Sequence, residues 1–192
     1  MDALVRLDTA LFHTINRGLA NPFFDFLMPF ITDKSHLVFI ILAAAVLVYF
    51  KGRRRDVRGL VLVLVTVLVI DFFSSAFKNL LLRVRPCHAL EGVRLLVGCG
   101  GSYSLPSGHA TNIFAAMVLL STRYKKFTPL FLLLAVGVAY SRVYVGVHYP
   151  LDVVAGAALG TLCALIFSEI DRKVLQSFIN HYRHKKREYF EV

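Results

Sequence analysis

The segment Ser141-Arg-Val-Tyr-Val-Gly-Val-His148-Tyr-Pro-Leu-Asp152 sets an arginine, a histidine and a carboxylate between two long apolar runs. Charged groups beside a bilayer core are costly to desolvate and are read by default as functional. Two further clusters have the same character: Lys78 with Arg85, and Ser107-Gly108-His109. Each alone has an ordinary structural reading, since a basic residue at a span end snorkels and a serine before a glycine caps a helix. Together they supply cations, helix-end amides, two histidines and a carboxylate on one side of one bundle, and phosphoryl transfer is the reaction that uses all of them. Ser107 suits an N-cap, leaving the backbone N–H groups of Gly108 and His109 at the positive end of a helix dipole, where an anion binds. His148 and Asp152 are four residues apart at a helix start, so their side chains can reach each other.

The elements that must position these residues are membrane spans. Apolar residues make up 57% of 192 and the mean hydropathy is +0.63, above the roughly 45–50% apolar share of soluble domains. Apolar runs able to cross or nearly cross a core of ~30 Å lie at about 36–50, 59–82, 109–124, 128–146 and 150–168. The first and third are short, and the third is expected to reach back to Ser107 and on to Phe127. The net charge of +10 gathers in Lys51–Arg58, in Arg123–Lys126 and in the tail from Arg172 to Arg187. These alternate with the loops at 83–106 and 141–149. The positive-inside rule then places the basic loops in the cytoplasm and the three chemical clusters outside, in the periplasm of a diderm bacterium. Basic clusters beside spans follow from this topology, so nucleic acid is not an expected partner.

Taken in order, residues 2–20 place Leu4, Leu7, Leu11, Phe12, Ile15 and Leu19 at helical spacing and predict an amphipathic helix, at the interface or along the bundle. Asn21-Pro22 breaks it, and 23–32 is either a short span or an interfacial helix, giving six spans or five. Asp71 and Lys78 share one face of the 59–82 span about 10 Å apart along its axis, with Asp71 orienting a basic residue or tying two helices. Pro86 ends any helix there. The loop 87–103 reads as a mobile lid or as a connector with a short helix near 89–96. Cys87 and Cys99 in this outward, oxidising loop read either as a disulfide or as two free thiols. Gly137, Gly156 and Gly160 permit close helix contacts in lipid. The expected division is an N-terminal amphipathic helix at 1–20, a transmembrane domain at 21–170 and a basic cytoplasmic tail at 171–192. The N-terminus lacks the pattern of a cleavable signal peptide.

The sequence resembles the type 2 phosphatidic acid phosphatase superfamily. The resemblance rests on Lys78-Asn-Leu-Leu-Leu-Arg-Val-Arg85-Pro86, on Pro106-Ser107-Gly108-His109, and on Ser141-Arg142 followed by His148 and Asp152. It covers roughly residues 25–168 and implies an all-α polytopic bundle of five to six transmembrane helices with its active site at the outer membrane edge. It implies further that His148 is the nucleophile, that Asp152 fixes its tautomer, and that His109 protonates the leaving oxygen and later activates water. Lys78, Arg85, Ser107, Gly108 and Arg142 would bind the phosphate. No metal or other cofactor is implied, and the outward loops lack the carboxylate cluster that holds Mg²⁺.

The resemblance implies a lipid phosphate or diphosphate as substrate: undecaprenyl diphosphate, phosphatidylglycerol phosphate, phosphatidic acid or lipid A 1-phosphate. Acyl or prenyl chains would stay in the bilayer while the phosphate reaches His148. A lipid-to-lipid phosphotransferase would share the first half-reaction. A vanadate haloperoxidase would use the same cradle but fits poorly with so hydrophobic a chain. A non-enzymatic anion transporter would leave the spacing of His109, His148 and Asp152 without a purpose. The oligomeric state is not readable from the sequence.

Overall fold

The computed structural model describes residues 2–33, 35–36, 46 and 49–188, and these are helical with connecting loops and no strand. The apolar run expected at 36–50 lies almost wholly outside the described residues. The helices are α1 (Asp2–His13), α2 (Pro22–Thr32), α3 (Arg54–Leu81), the short α4 (Pro86–Ala89), α5 (Gly108–Arg123), α6 (Thr128–Tyr144) and α7 (Pro150–Glu188). Three helical stretches among the described residues, Arg54–Ala89, Lys125–Tyr144 and Pro150–Ser177, are long and apolar enough to cross a membrane. Their outward faces carry exposed apolar side chains such as Leu68, Phe72, Leu133 and Val154. Such a surface needs lipid around it.

The local sequence accounts for the breaks. Asn21 ends one helix and starts another, because its side chain accepts the Phe24 N–H at 2.9 Å while Pro22 occupies the first turn of α2. Proline is preformed for that position and lacks the N–H that would be left over. Pro86 behaves likewise. The preceding helix stops with Leu82 in the left-handed region (φ 50°), and Pro86 then opens α4. The short helix of this loop therefore stands at 86–89, ahead of the expected 89–96.

α5 is the centre of the bundle, packed against α3, α6 and α7. At 16 residues it is only about 24 Å long, and a turn of 3-10 helix at Lys125–Phe127 continues it towards the expected Phe127. The closest packing is between α5 and α7. A Cβ on Gly156 would stand 2.6 Å from the Ser107 carbonyl oxygen, and one on Gly160 would stand closer still to the Thr111 carbonyl oxygen. Backbone-to-backbone contact of this kind is available only to small residues. Gly137 is different, since a Cβ there would meet only the Ile31 Cδ1 at 4.0 Å.

The basic ends of three helices are tied together. Asp171 pairs with Arg58 at 2.7 Å and with Arg123 at 2.6 Å, and the Tyr124 hydroxyl donates to Asp56 at 2.5 Å. α3 then runs about 42 Å to the opposite end, where Lys78, Ser107 and Asp152 lie. Part-way along, Asn112 donates to Asp71 at 2.8 Å, so Asp71 ties α3 to α5.

The N-terminal helix docks with only part of its apolar stripe, through Phe12 and Ile15. Leu4, Leu7 and Leu11 are exposed, whereas Asp8, Phe12 and Asn16 are fully buried. A π-helical turn at Thr14–Gly18 follows α1, and within it Asn16 donates to the carbonyls of Arg94 and Tyr144 at 2.8 Å each. In a lipid setting the apolar stripe has solvent of its own kind, and the polar stripe seeks the protein.

Gly160→Ala should lower the detergent melting temperature by the equivalent of about 1–3 kcal/mol, the usual penalty for overpacking. Gly137→Ala, with room for its methyl and a gain of up to about 1 kcal/mol in helix propensity, should not lower it. Equal losses for the two variants would contradict the packing described.

Candidate active site

The eight residues expected to carry chemistry come from the ends of α3, α5, α6 and α7 and from the segments that adjoin them. Lys78 is in the last turn of α3, with its Nζ close enough to Gly108 that a Cβ there would lie 3.7 Å away. Ser107 occupies the N-cap position of α5, but its buried hydroxyl makes no capping bond and has no hydrogen-bond partner. The first-turn amides of Gly108 and His109 are thus not occupied by that side chain, and His109 itself is half-buried. Arg142 is buried in the last turn of α6. Its Nη1 donates to Thr32 Oγ1 at 2.6 Å, which fixes it from the end of α2, while its Nε is buried without a partner.

Arg85 is held from several sides. Its Nε donates to the Ser102 carbonyl at 2.6 Å, Nη2 to the Ser102 hydroxyl at 2.8 Å and Nη1 to the Val147 carbonyl at 3.2 Å. The same Nη1 lies 3.3 Å from His148 Nε2. A guanidinium can only donate, so in this contact Nε2 is the accepting nitrogen and the proton of neutral His148 sits on Nδ1. Nδ1 lies 3.6 Å from Asp152 Oδ2, just outside hydrogen-bonding distance. His148 is 1% exposed. Burial is the main reason its pKa falls from the ordinary 6.5 to about 4, with the carboxylate of Asp152 opposing and the charges of Arg85 and Arg142 assisting. The imidazole is therefore neutral at physiological pH, with a lone pair on Nε2.

Asp152 is fully buried, and its carboxylate is bonded from three separate segments. Its Oδ1 accepts from Arg83 Nη1 at 2.6 Å, and its Oδ2 accepts from the Tyr149 N–H at 2.8 Å and from the Ser104 hydroxyl. Its backbone carbonyl accepts the Ser107 N–H at 2.9 Å. All three clusters are joined through this one residue.

Sequence reasoning missed Arg83, Ser104, Ser102, Thr32 and Asp8. Arg83 and Ser104 lie inside or beside the recognised segments and look there like spare polar residues. Asp8 carried one usable signal, its i, i+4, i+8 register with Phe12 and Asn16, which the leucine stripe overshadowed. In the loop, Cys87 and Cys99 form a disulfide, resolving the two alternatives. Among the described residues, the grouping closest to metal-ligand geometry is Cys87, His88 and Cys99, and its two sulfurs are already joined.

The sequence profile of the PAP2 superfamily matches residues 59–175. The chain belongs to that superfamily. Among PAP2 relatives, a lipid A 4′-phosphatase of Porphyromonas gingivalis is 31% identical over 170 residues, 84% of this chain and 72% of that protein. An undecaprenyl-diphosphatase of Sulfolobus acidocaldarius is 36% identical over 146 residues, 76% of this chain and 69% of its own. The crystal structure of a transmembrane PAP2-type phosphatidylglycerolphosphate phosphatase from Bacillus subtilis superposes with a TM-score of 0.74 at 25% identity, covering 91% of this chain and 89% of that one. Aquifex aeolicus LpxE superposes with a TM-score of 0.68 at 27% identity, covering 85% and 95%. The protein is thus an all-helical membrane member of the PAP2 superfamily.

The disulfide has a direct check. Protein purified without reductant and then unfolded should titrate one thiol per chain, Cys163, and three after reduction. Three thiols before reduction would contradict the pairing.

Proposed function

We propose that this protein is an integral-membrane lipid phosphatase that removes the terminal phosphate of a lipid phosphate or diphosphate through a phosphohistidine on His148. The observation that carries the reading is the placement of the His148 ring, with Nε2 3.3 Å from Arg85 Nη1 and Nδ1 3.6 Å from Asp152 Oδ2, which favours the Nδ1–H tautomer. That is the form in which a histidine is a nucleophile whose developing charge meets a carboxylate. Relatives that bear the names lipid A 4′-phosphatase and undecaprenyl-diphosphatase support a phosphorylated lipid as the substrate class.

In the first step the Nε2 lone pair forms the N–P bond in line with the P–O bond to the lipid. That bond breaks, its electron pair stays on the lipid oxygen, and protonated His109 supplies the proton. Nδ1–H turns its positive character towards Asp152. In the second step His109, now neutral, takes a proton from water as the water oxygen attacks phosphorus, and the N–P electrons return to Nε2. Acid–base help of this kind is worth about 10²–10⁴ in rate. Lys78, Arg85 and Arg142 neutralise the phosphoryl oxygens, with the unpartnered Ser107 hydroxyl and the α5 amides completing the cradle. These three cations supply the charge that a divalent metal supplies in other phosphatases, so chelators should leave turnover unchanged.

The site faces the outside of the cytoplasmic membrane in this reading, and the Arg58–Asp171–Arg123 end faces the cytoplasm, as the positive-inside rule requires. The exposed apolar side chains at the end of α3, Leu80 and Leu81 with the adjoining Leu82, lie next to Lys78 and suit the tails of a substrate arriving from the bilayer.

The test is a panel of dioctanoyl phosphatidic acid, dioctanoyl phosphatidylglycerol phosphate, farnesyl diphosphate and lipid A, assayed for phosphate release in detergent with and without a lipid acceptor. Wild type should release phosphate from at least one substrate, and His148→Ala and His109→Ala should each abolish release while remaining folded. Near-normal release by either variant would contradict the mechanism. Transfer to the acceptor in place of release would make the protein a phosphotransferase. The acid limb of kcat/KM, corrected for ionisation of the substrate phosphate, should lie near 4, because the neutral imidazole is the reactive form and its pKa is depressed to about 4. A limb near 6.5, the ordinary histidine value, would mean that another group sets it.

A further inference from the structure

Asp8 lies outside the recognised segments, on a helix that belongs to none of them, and is fully buried. Burying a carboxylate costs several kcal/mol unless it is well paired, and α1 has apolar side chains enough to attach itself by other means. The partners of Asp8 show what its burial accomplishes. Its Oδ2 accepts from Arg83 Nη2 at 2.5 Å, and its Oδ1 accepts the Leu151 N–H at 2.9 Å, in the first turn of α7. The other arm of the same guanidinium holds Asp152 Oδ1 at 2.6 Å. The plane of Arg83 is supported by the Tyr149 ring, 4.2 Å from its Cζ, and that ring rests in turn on Phe12 of α1 at 5.7 Å between centroids.

One cation is thus shared by two buried carboxylates, and the arithmetic decides what Asp152 can do. The set Asp8, Arg83 and Asp152 carries a net charge of −1. Without Asp8 the remaining Arg83–Asp152 pair is neutral, and Asp152 is left as one partner of a one-to-one ion pair. Inside a protein, where charges are weakly screened, that difference falls on the ring behind which Asp152 stands. We propose that Asp8 is a positioning residue for the His148–Asp152 pair. It fixes Arg83 and the first turn of α7, and by sharing Arg83 it leaves Asp152 more negative towards His148 than a one-to-one ion pair would. The inference deepens the reading of His148 as nucleophile and rests on it. The charged groups facing His148 are Arg85 from the loop after α3, Arg142 from α6 and Asp152 from α7. Asp8 and Arg83 act one shell behind Asp152.

The experiment compares wild type, Asp8→Asn, the double variant Asp8→Asn/Arg83→Gln, and His148→Ala. It uses full-length protein and the panel substrate that wild type hydrolyses fastest. Asp8→Asn should lower kcat by about 10–100-fold, the usual cost of losing a partner one shell behind a reactive group, with KM changed by less than about threefold, because binding of the phosphate does not involve α1. The double variant removes one charge of each sign, returns the set to a net −1 and keeps an amide N–H able to donate to Asp152, so its kcat should exceed that of the single variant. A merely structural role for Asp8 makes the two losses add. An unchanged kcat in Asp8→Asn, or a double variant slower than the single, overturns the proposal. If Asp8→Asn cannot be obtained folded, the double variant decides alone: kcat within about tenfold of wild type upholds the proposal, and a greater loss overturns it. Failure of wild type to release phosphate, or full activity in His148→Ala, would instead remove the functional reading beneath it.

Discussion

The buried carboxylate of Asp152 is the constraint on which the site depends. An ionised carboxyl with no exposure to solvent is tolerable only if its lone pairs are filled. Here the filling comes from Arg83 after α3, from Ser104 ahead of α5 and from the Tyr149 amide at the start of its own helix. Satisfying that one group forces three helix ends into the same few ångströms. The backbone contact from Ser107 to the Asp152 carbonyl adds a second tie between the same elements. His148, four residues earlier, is then positioned as a consequence of how Asp152 is held.

The packing below the site serves the same end. Gly156 and Gly160 let α7 approach α5 backbone to backbone, which brings Asp152 to the level of Ser107. At the other end, Asp171 joins α7 to α3 and α5. α3, α5 and α7 are therefore tied at both ends, and in the proposed mechanism the donors at the site end need little reorganisation when a phosphate arrives.

Much of this was legible in the sequence, and for identifiable reasons. Apolar runs and basic loops marked the spans and the polarity of the bundle, because bilayer thickness and charge asymmetry act on composition directly. Lys78, Arg85, Ser107, His109, Arg142, His148 and Asp152 stood out because polar and charged side chains beside a bilayer core are expensive to desolvate. Arg83 and Ser104 did not, because their importance lies in what they bond to across 69 and 48 residues of chain. α1 was legible as an amphipathic helix, but not the face it buries: of its apolar stripe, Leu4, Leu7 and Leu11 stay exposed while Phe12 is buried beside Asp8 and Asn16. The Cys87–Cys99 pairing also needed the structure, since loop length and compartment allowed it without requiring it.

The central claim is that phosphorus becomes bonded to His148 Nε2 before water reaches it. Its most direct test is rapid quenching into alkali of wild-type protein turning over a lipid phosphate labelled with ³²P, followed by proteolysis and mapping of the label. The account predicts an acid-labile, alkali-stable phosphoryl group on the peptide containing His148, formed and lost at rates that match turnover. Full turnover with no label on that peptide at any time, or label on another residue, would contradict it.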